Sequence, residues 1–128
     1  MRILIVDDDD DVREAARVLL EMDGHDVDAA TNGVEAIYRA RVRAPDVILI
    51  DLGMPVMDGF SAVQALRRQP QLRSTPIIAV SAYVGDPAWR DRALAAGCDH
   101  CVLKPVDSAV LAELLQQVVP SRKLPDEA

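Results

Sequence analysis

Aromatic side chains are scarce in this chain of 128 residues, with one Phe, one Trp and two Tyr making up 3%. They are too few for the row of stacked rings on which single-stranded nucleic acid is held. Basic residues are also outnumbered, 14 Lys and Arg against 21 Asp and Glu, for a formal charge of −7. Direct nucleic-acid binding requires a basic face, so none is expected. Part of the negative charge is one local run, Asp7 to Asp11, and not a diffuse acidic surface. No apolar run approaches the roughly 18 residues of a membrane span, and the N-terminus has no signal-peptide pattern. The expected home is the cytoplasm, away from the membrane. Cysteine appears twice, in Cys98-Asp99-His100-Cys101. Redox C-x-x-C pairs gain a low thiol pKa at helix N-termini, whereas this one follows a helix and enters a strand. A zinc site needs about four ligands, and only His25 remains as another soft donor. Core packing is the reading left for Cys101.

What is present is apolar material, half of all residues, in an alternating pattern. Short runs at Ile3–Val6, Asp26–Ala30, Val47–Ile50, Ile77–Val80 and Cys101–Leu103 are read as strands. The continuous apolar runs among them suit strands buried on both faces, as in a parallel sheet. Between the runs, apolar residues recur at helical spacing, as in Val12, Ala15, Ala16, Leu19 and Leu20. Asn32 with Glu35 reads as a capping box, and Asp86-Pro87 as an N-cap followed by a first-turn proline. Asp107 or Ser108 caps a last helix through Leu111, Leu114, Leu115 and Val118. Gly24 and Gly97 stand where helices should end, each just before a strand. The alternation predicts an α/β, doubly wound, five-stranded parallel sheet with five helices and right-handed crossovers. Residues 1–120 are expected to form one domain. Residues 121–128 read as a C-terminal tail or the start of a linker.

The chemistry gathers at strand ends. Asp7 and Asp8 follow the first run, Asp51 the third, Ser81 the fourth and Lys104 the fifth. Open α/β sheets bind their ligands at that edge. Two carboxylates about 4 Å apart repel by roughly 4 kcal/mol at an effective dielectric near 20, so a cluster of three requires a cation, a proton or a lysine. An acid cluster beside an ammonium and a small hydroxyl suits phosphoryl chemistry with Mg²⁺, which takes oxygen ligands in near-octahedral geometry.

In these respects the sequence resembles the receiver domain of two-component response regulators over nearly its whole length. The resemblance rests on the acidic pair, the lone Asp51 followed by Met54-Pro55-Val56-Met57-Asp58-Gly59, the Ser81-Ala82 step and the Lys104-Pro105 step, in that order. It implies the flavodoxin-like receiver fold with strand order 2-1-3-4-5. It further implies Asp51 as phosphoryl acceptor, and Asp7, Asp8, Asp51 and the Gly53 backbone carbonyl as Mg²⁺ ligands. Lys104 and Ser81 would contact the phosphoryl group, and the Lys104–Pro105 bond is expected to be cis. The donor would be a sensor His kinase or His phosphotransfer protein, and a downstream effector protein a further partner. The first helix, Val12 to Met22, would help dock the donor. The protein would then be a conformational signalling switch and not an enzyme beyond its own phosphotransfer and autodephosphorylation.

The resemblance implies two departures. The family's usual aromatic three residues before the lysine is replaced by Cys101, and Val106 follows Lys-Pro where Phe is common. The fifth strand is therefore expected to respond little to phosphorylation, and Tyr83 to shield the acyl phosphate. Other carboxylates have structural readings: Asp9, Asp10 and Asp11 as caps and dipole partners of the first helix, and Asp58 as cap of the third. Two other functions fit parts of the sequence. Asp8-Asp9-Asp10-Asp11-Val12 fits the D-x-D-x-[TV] of haloacid-dehalogenase-type phosphatases, with Gly85-Asp86 and Asp91 as their last motif. That family's lysine precedes this motif, however, and Asp51 would be left without a role. A receiver-like module that binds partners without phosphorylation is the second alternative.

Overall fold

The computed structural model describes residues 1–52, 59–81, 87–104 and 108–118. Five strands, β1 (Arg2–Val6), β2 (Asp26–Ala30), β3 (Val47–Asp51), β4 (Ile77–Ser81) and β5 (His100–Leu103), form one sheet in the order β2-β1-β3-β4-β5. Every pairing is parallel. Helices α1 (Asp10–Met22), α2 (Gly33–Val42), α3 (Gly59–Arg67), α4 (Pro87–Ala96) and α5 (Ser108–Val118) alternate with the strands. The expected α/β architecture and strand order are the observed ones.

Strand alternation sorts the apolar side chains onto two faces. Leu4, Val6, Ile48, Ile50, Ile77 and Ala79 join residues of α2, α3 and α4 in one cluster. Ile3, Ile5, Val47, Leu49 and Ile78 join residues of α1 and α5 in the other. Both faces are covered, so the strand positions must be apolar at every step. The edge strand β2 is different: Asp26 and Asp28 both pair with Arg43 at the end of α2. Charges of this kind discourage further strand addition.

Local signals set the helix ends. The Asp9 carboxylate caps α1, accepting from the Asp11 and Val12 amides at 3.0 and 3.1 Å. Asp10 and Asp11 lie in the first turn, against the positive end of the dipole. At the other end, Gly24 adopts φ +91°. The Gly24 N–H donates to the Glu21 carbonyl and that of His25 to Leu20, at 3.0 and 3.1 Å, closing a Schellman motif. The same pair of bonds recurs at Gly97 (φ +124°), from Gly97 to Leu94 and from Cys98 to Ala93. Asn32 caps α2 by accepting from the Glu35 amide at 2.9 Å. The return bond of this box goes one residue earlier than the motif prescribes, from the Thr31 amide to the Glu35 carboxylate at 3.2 Å. α4 begins at Pro87 and α5 at Ser108, as read from the sequence, while Asp58, Asp86 and Asp107 lie outside the described residues.

Several boundaries reach further than expected. β1 and β5 begin one residue early, at Arg2 and His100, and β3 and β4 end one residue late, at Asp51 and Ser81, because each added residue finds a ladder partner: Asp26, Ile78, Val80 and Leu103 in turn. α1 begins at Asp10, two residues before Val12. The stretch between α3 and β4 contains a 3₁₀ turn, Pro70–Leu72, that buries Leu72 completely.

Candidate functional site

Register brings the acidic residues together. Val6 is level with Ile50 on the adjacent strand, so Asp7, next after Val6, emerges beside Asp51. Asp51 pairs with Val80, and Ser81 with Leu103. Ser81 and Lys104 thus follow one step further along the same sheet edge. The Lys104 amide donates to the Ser81 carbonyl at 3.0 Å, tying the ends of β4 and β5 together.

Carboxylate oxygens of Asp7, Asp8 and Asp51 lie within 4.8 Å of one another. Asp7 and Asp51 are buried and Asp8 is exposed, so the cluster has a closed floor and a mouth open to solvent. The Lys104 ammonium bridges the two buried members, 3.1 Å from Asp7 and 3.3 Å from Asp51. Burial pushes the Asp7 carboxyl above its ordinary range, against the Asp9 amide and Lys104, which favour the charged form; the Asp51 charge adds to the rise. Burial also works against the Lys104 ammonium. The hydrogen bond to Asp7 and the negative charges of Asp51 and Asp7 outweigh it, and the pKa moves up. Lys104 is therefore a fixed positive charge at neutral pH.

Three carboxylates and one ammonium leave two negative charges uncompensated at one point. All side-chain donors are oxygens, the set a hard divalent cation prefers over sulfur or nitrogen sites. Octahedral ligation at about 2.0–2.1 Å spaces neighbouring oxygens by roughly 3 Å and opposite ones by roughly 4 Å, so this cluster, with its oxygens within 4.8 Å of one another, fits Mg²⁺ with small side-chain rotations. Gly53, the expected backbone ligand, lies outside the described residues, as do Tyr83 and Pro105. Ser81 is buried at the end of β4.

Sequence reasoning missed a residue that braces this site. Arg13, one turn into α1, donates to the backbone carbonyl of Asp7 at 2.8 Å and also pairs with Asp10. The Asp9 amide meanwhile holds the Asp7 carboxylate at 2.9 Å, so both ends of Asp7 are fixed. An arginine four residues past an N-cap, close behind an acidic pair, was the available signal.

The decoys resolve structurally. Asp9 is a helix cap, and Asp10 through Val12 are the first turn of α1, which is why the D-x-D-x-[TV] pattern appears there. Of the two cysteines, Cys98 is the core residue, and burial chiefly pushes its thiol up to about 12. Cys101 is half-buried against the same cluster, and burial raises its pKa too, against Arg90. Neither is a ready thiolate. The acid triad is the metal-ligand cluster found among the described residues. Trp89 packs on Phe60 with ring centroids 5.1 Å apart.

The fold and this edge define a class. Residues 3–116 match the family model of the response regulator receiver domain, and the chain belongs to that family. It is 38% identical over 91% of its length to an uncharacterized 14.6 kDa protein of Leptolyngbya boryana, covering 88% of that protein. It has the same identity to the transcriptional regulatory protein PrrA of Mycobacterium tuberculosis, of which it spans only 48%. Among solved structures, the chemotaxis protein CheY4 of Vibrio cholerae superposes with a TM-score of 0.87 at 34% identity, covering 91% of this chain and 97% of that one. The receiver domain of the sensor histidine kinase PA1611 of Pseudomonas aeruginosa matches at 0.86 and 32%, covering 93% and 97%. That structure has a magnesium ion coordinated in its active-site cleft. Membership favours a signalling role over the phosphatase alternative. No helix among the described residues is long and apolar enough to cross a membrane.

Proposed function

We propose that Asp51 is the phosphoryl acceptor of a two-component or phosphorelay switch. The observation that carries this is the Lys104 ammonium, held between the buried carboxylates of Asp7 and Asp51 at the mouth of the central strands. A carboxylate oxygen of Asp51 attacks the phosphorus of a donor phosphohistidine. The P–N bond breaks, the imidazole leaves with the electron pair, and an acyl phosphate remains on Asp51. Phosphoryl transfer of this kind needs mainly positioning and charge neutralisation. Lys104 supplies a positive charge to the phosphoryl oxygens and leaves its contact with Asp51 to do so. The Ser81 hydroxyl, at the adjoining strand end, donates to the transferred group.

Asp7, Asp8, Asp51 and the Gly53 carbonyl would hold Mg²⁺, whose chemistry when bound is charge neutralisation on the transferring group. The protein turns over nothing but its own phosphoryl group and is not otherwise an enzyme. Its partners are a sensor His kinase or His phosphotransfer protein and a downstream effector. We assign the donor to the α1 side, where Val12, Val18, Leu19 and Met22 are exposed. There an apolar cleft of about 420 Å³ between α1 and α5 opens onto Lys104. Residues 1–120 form the receiver unit, 121–128 are a tail or linker start, and the setting is cytoplasmic, where ATP-dependent kinases make phosphohistidine.

The test is incubation with Mg²⁺ and a small-molecule phosphodonor, read by intact mass. One phosphoryl group is gained by the wild type and none by Asp51→Asn. No gain in the wild type, with Mg²⁺ binding also absent, leaves an interaction module instead.

A further inference from the structure

Helix α3 rests on the backbone that carries Asp51 with no side chain between them. The Gly59 N–H donates to the Leu52 carbonyl at 3.0 Å. A Cβ at position 59 would lie 2.2 Å from the Leu52 Cα, and 2.8 Å from both the Asp51 carbonyl oxygen and the Leu52 carbonyl carbon. All three are backbone atoms, so no rotamer change relieves the clash, and shortening Leu52 does not help. The Gly59 φ is not in the left-handed region, so the requirement is for space and not for backbone freedom.

The peptide after Asp51 is boxed in on its other side as well. Leu52 is fully buried, and its N–H points to the Val80 carbonyl at 3.4 Å. A side chain at position 59 therefore has two outlets: α3 retreats, or the Asp51–Leu52 peptide moves. Retreat is opposed by the next residue. The Phe60 ring is buried, packed on Trp89, and covered by the Arg92 guanidinium 4.0 Å from its centroid. The remaining outlet displaces Asp51 from Lys104 and from the other two carboxylates.

We propose that Gly59 is a positioning residue for the acceptor: lacking a side chain, it lets α3 seat directly on the Asp51–Leu52 backbone and so fixes the Asp51 carboxylate relative to Asp7, Asp8 and Lys104. This rests on the reading of Asp51 as acceptor. A misplacement of about 1 Å in a reacting group costs on the order of a hundredfold in rate.

Gly97 provides the comparison. A Cβ there meets the Arg67 Cγ at 2.8 Å, and φ is +124°, so Gly97→Ala is also strained. It lies at the entry to β5, at the opposite end of the sheet from the acid cluster. Gly59→Ala and Gly97→Ala are compared with wild type in an excluded osmolyte at low temperature, with results scaled to the folded fraction from circular dichroism. Mg²⁺ affinity is measured by calorimetry, and phosphorylation by a small-molecule donor at saturating Mg²⁺. Gly59→Ala weakens Mg²⁺ binding about tenfold or more and slows the saturated rate at least as much, while Gly97→Ala stays within about twofold on both. Gly59→Ala within the same twofold, or equal losses in Gly97→Ala, overturns the proposal.

Amide exchange in the wild type gives a second measurement should Gly59→Ala not fold. The Gly59 amide exchanges as slowly as those of β3, and a loop-like rate overturns the seating. A wild type that takes no phosphoryl group refutes the acceptor reading alone, because the Mg²⁺ comparison still decides the role of Gly59.

Discussion

Lys104 lies within ion-pair reach of two buried carboxylates, at 3.1 and 3.3 Å. Its removal takes a positive charge away from Asp7, Asp51 and Asp8, whose carboxylate oxygens lie within 4.8 Å of one another. The pair is intermediate in exposure, so its loss falls between the ~0–1 kcal/mol of an exposed ion pair and the ~3–5 kcal/mol of breaking a buried one. Lys104→Met is expected to lower unfolding free energy by about 2 kcal/mol in EDTA, measured by urea titration, and Mg²⁺ should recover most of it. A loss that Mg²⁺ leaves untouched would mean that Lys104 and the cation do not share one site. These residues were legible in the sequence because each follows directly on an apolar run, and parallel pairing sends all such positions to one edge. Arg13 and the tight seat of Gly59 were not, for a physical reason. One depends on a long side chain reaching back along its own helix, the other on the space left by a neighbouring backbone.

At the scale of elements, strands and caps followed from local chemistry, whereas the connections between them depend on one side chain that periodicity does not reveal. Arg67, the last residue of α3, donates to the carbonyls of Gly97, Leu72 and Thr75 at 2.9, 2.9 and 2.6 Å. It also pairs with Asp99 at 2.6 Å, and that carboxylate accepts from the Ile77 amide at 2.9 Å. One guanidinium thus fastens the end of α3, the 3₁₀ turn, the entry to β4 and the α4–β5 turn. Arg67→Ala is expected to cost about 2–4 kcal/mol, since it strands several partly buried acceptors at once. The exposed neighbour Arg68→Ala should stay within about 0.5 kcal/mol. Equal effects in denaturant titration would remove the clamp from this account.

For the whole molecule, stability carries a pH dependence from the end of the sheet opposite the acid cluster. Burial, reinforced by the N-terminal ammonium and opposed by Asp23, holds His25 below the usual histidine range. The unfolded chain therefore takes up a proton near pH 6.5 that the folded protein still refuses. Stability from this group is level above that pH, falls as pH drops through it, and levels again below the folded pKa. His25→Gln should flatten the difference in melting temperature between pH 7.5 and 5.5. Parallel curves for the two proteins would place the effect elsewhere. A parallel sheet that gathers an acid cluster at one edge is what the alternation of runs and helices implies, and membership of the receiver family agrees with that fold.

That edge carries the central claim, and reduction of the phosphorylated protein tests it most directly. Borohydride converts an aspartyl phosphate to homoserine, and peptide mapping then locates the change. The account predicts homoserine at position 51 alone, formed only when Mg²⁺ and a phosphodonor were present. Homoserine at position 7 or 8, or at no position in a protein that has gained a phosphoryl group, would contradict it.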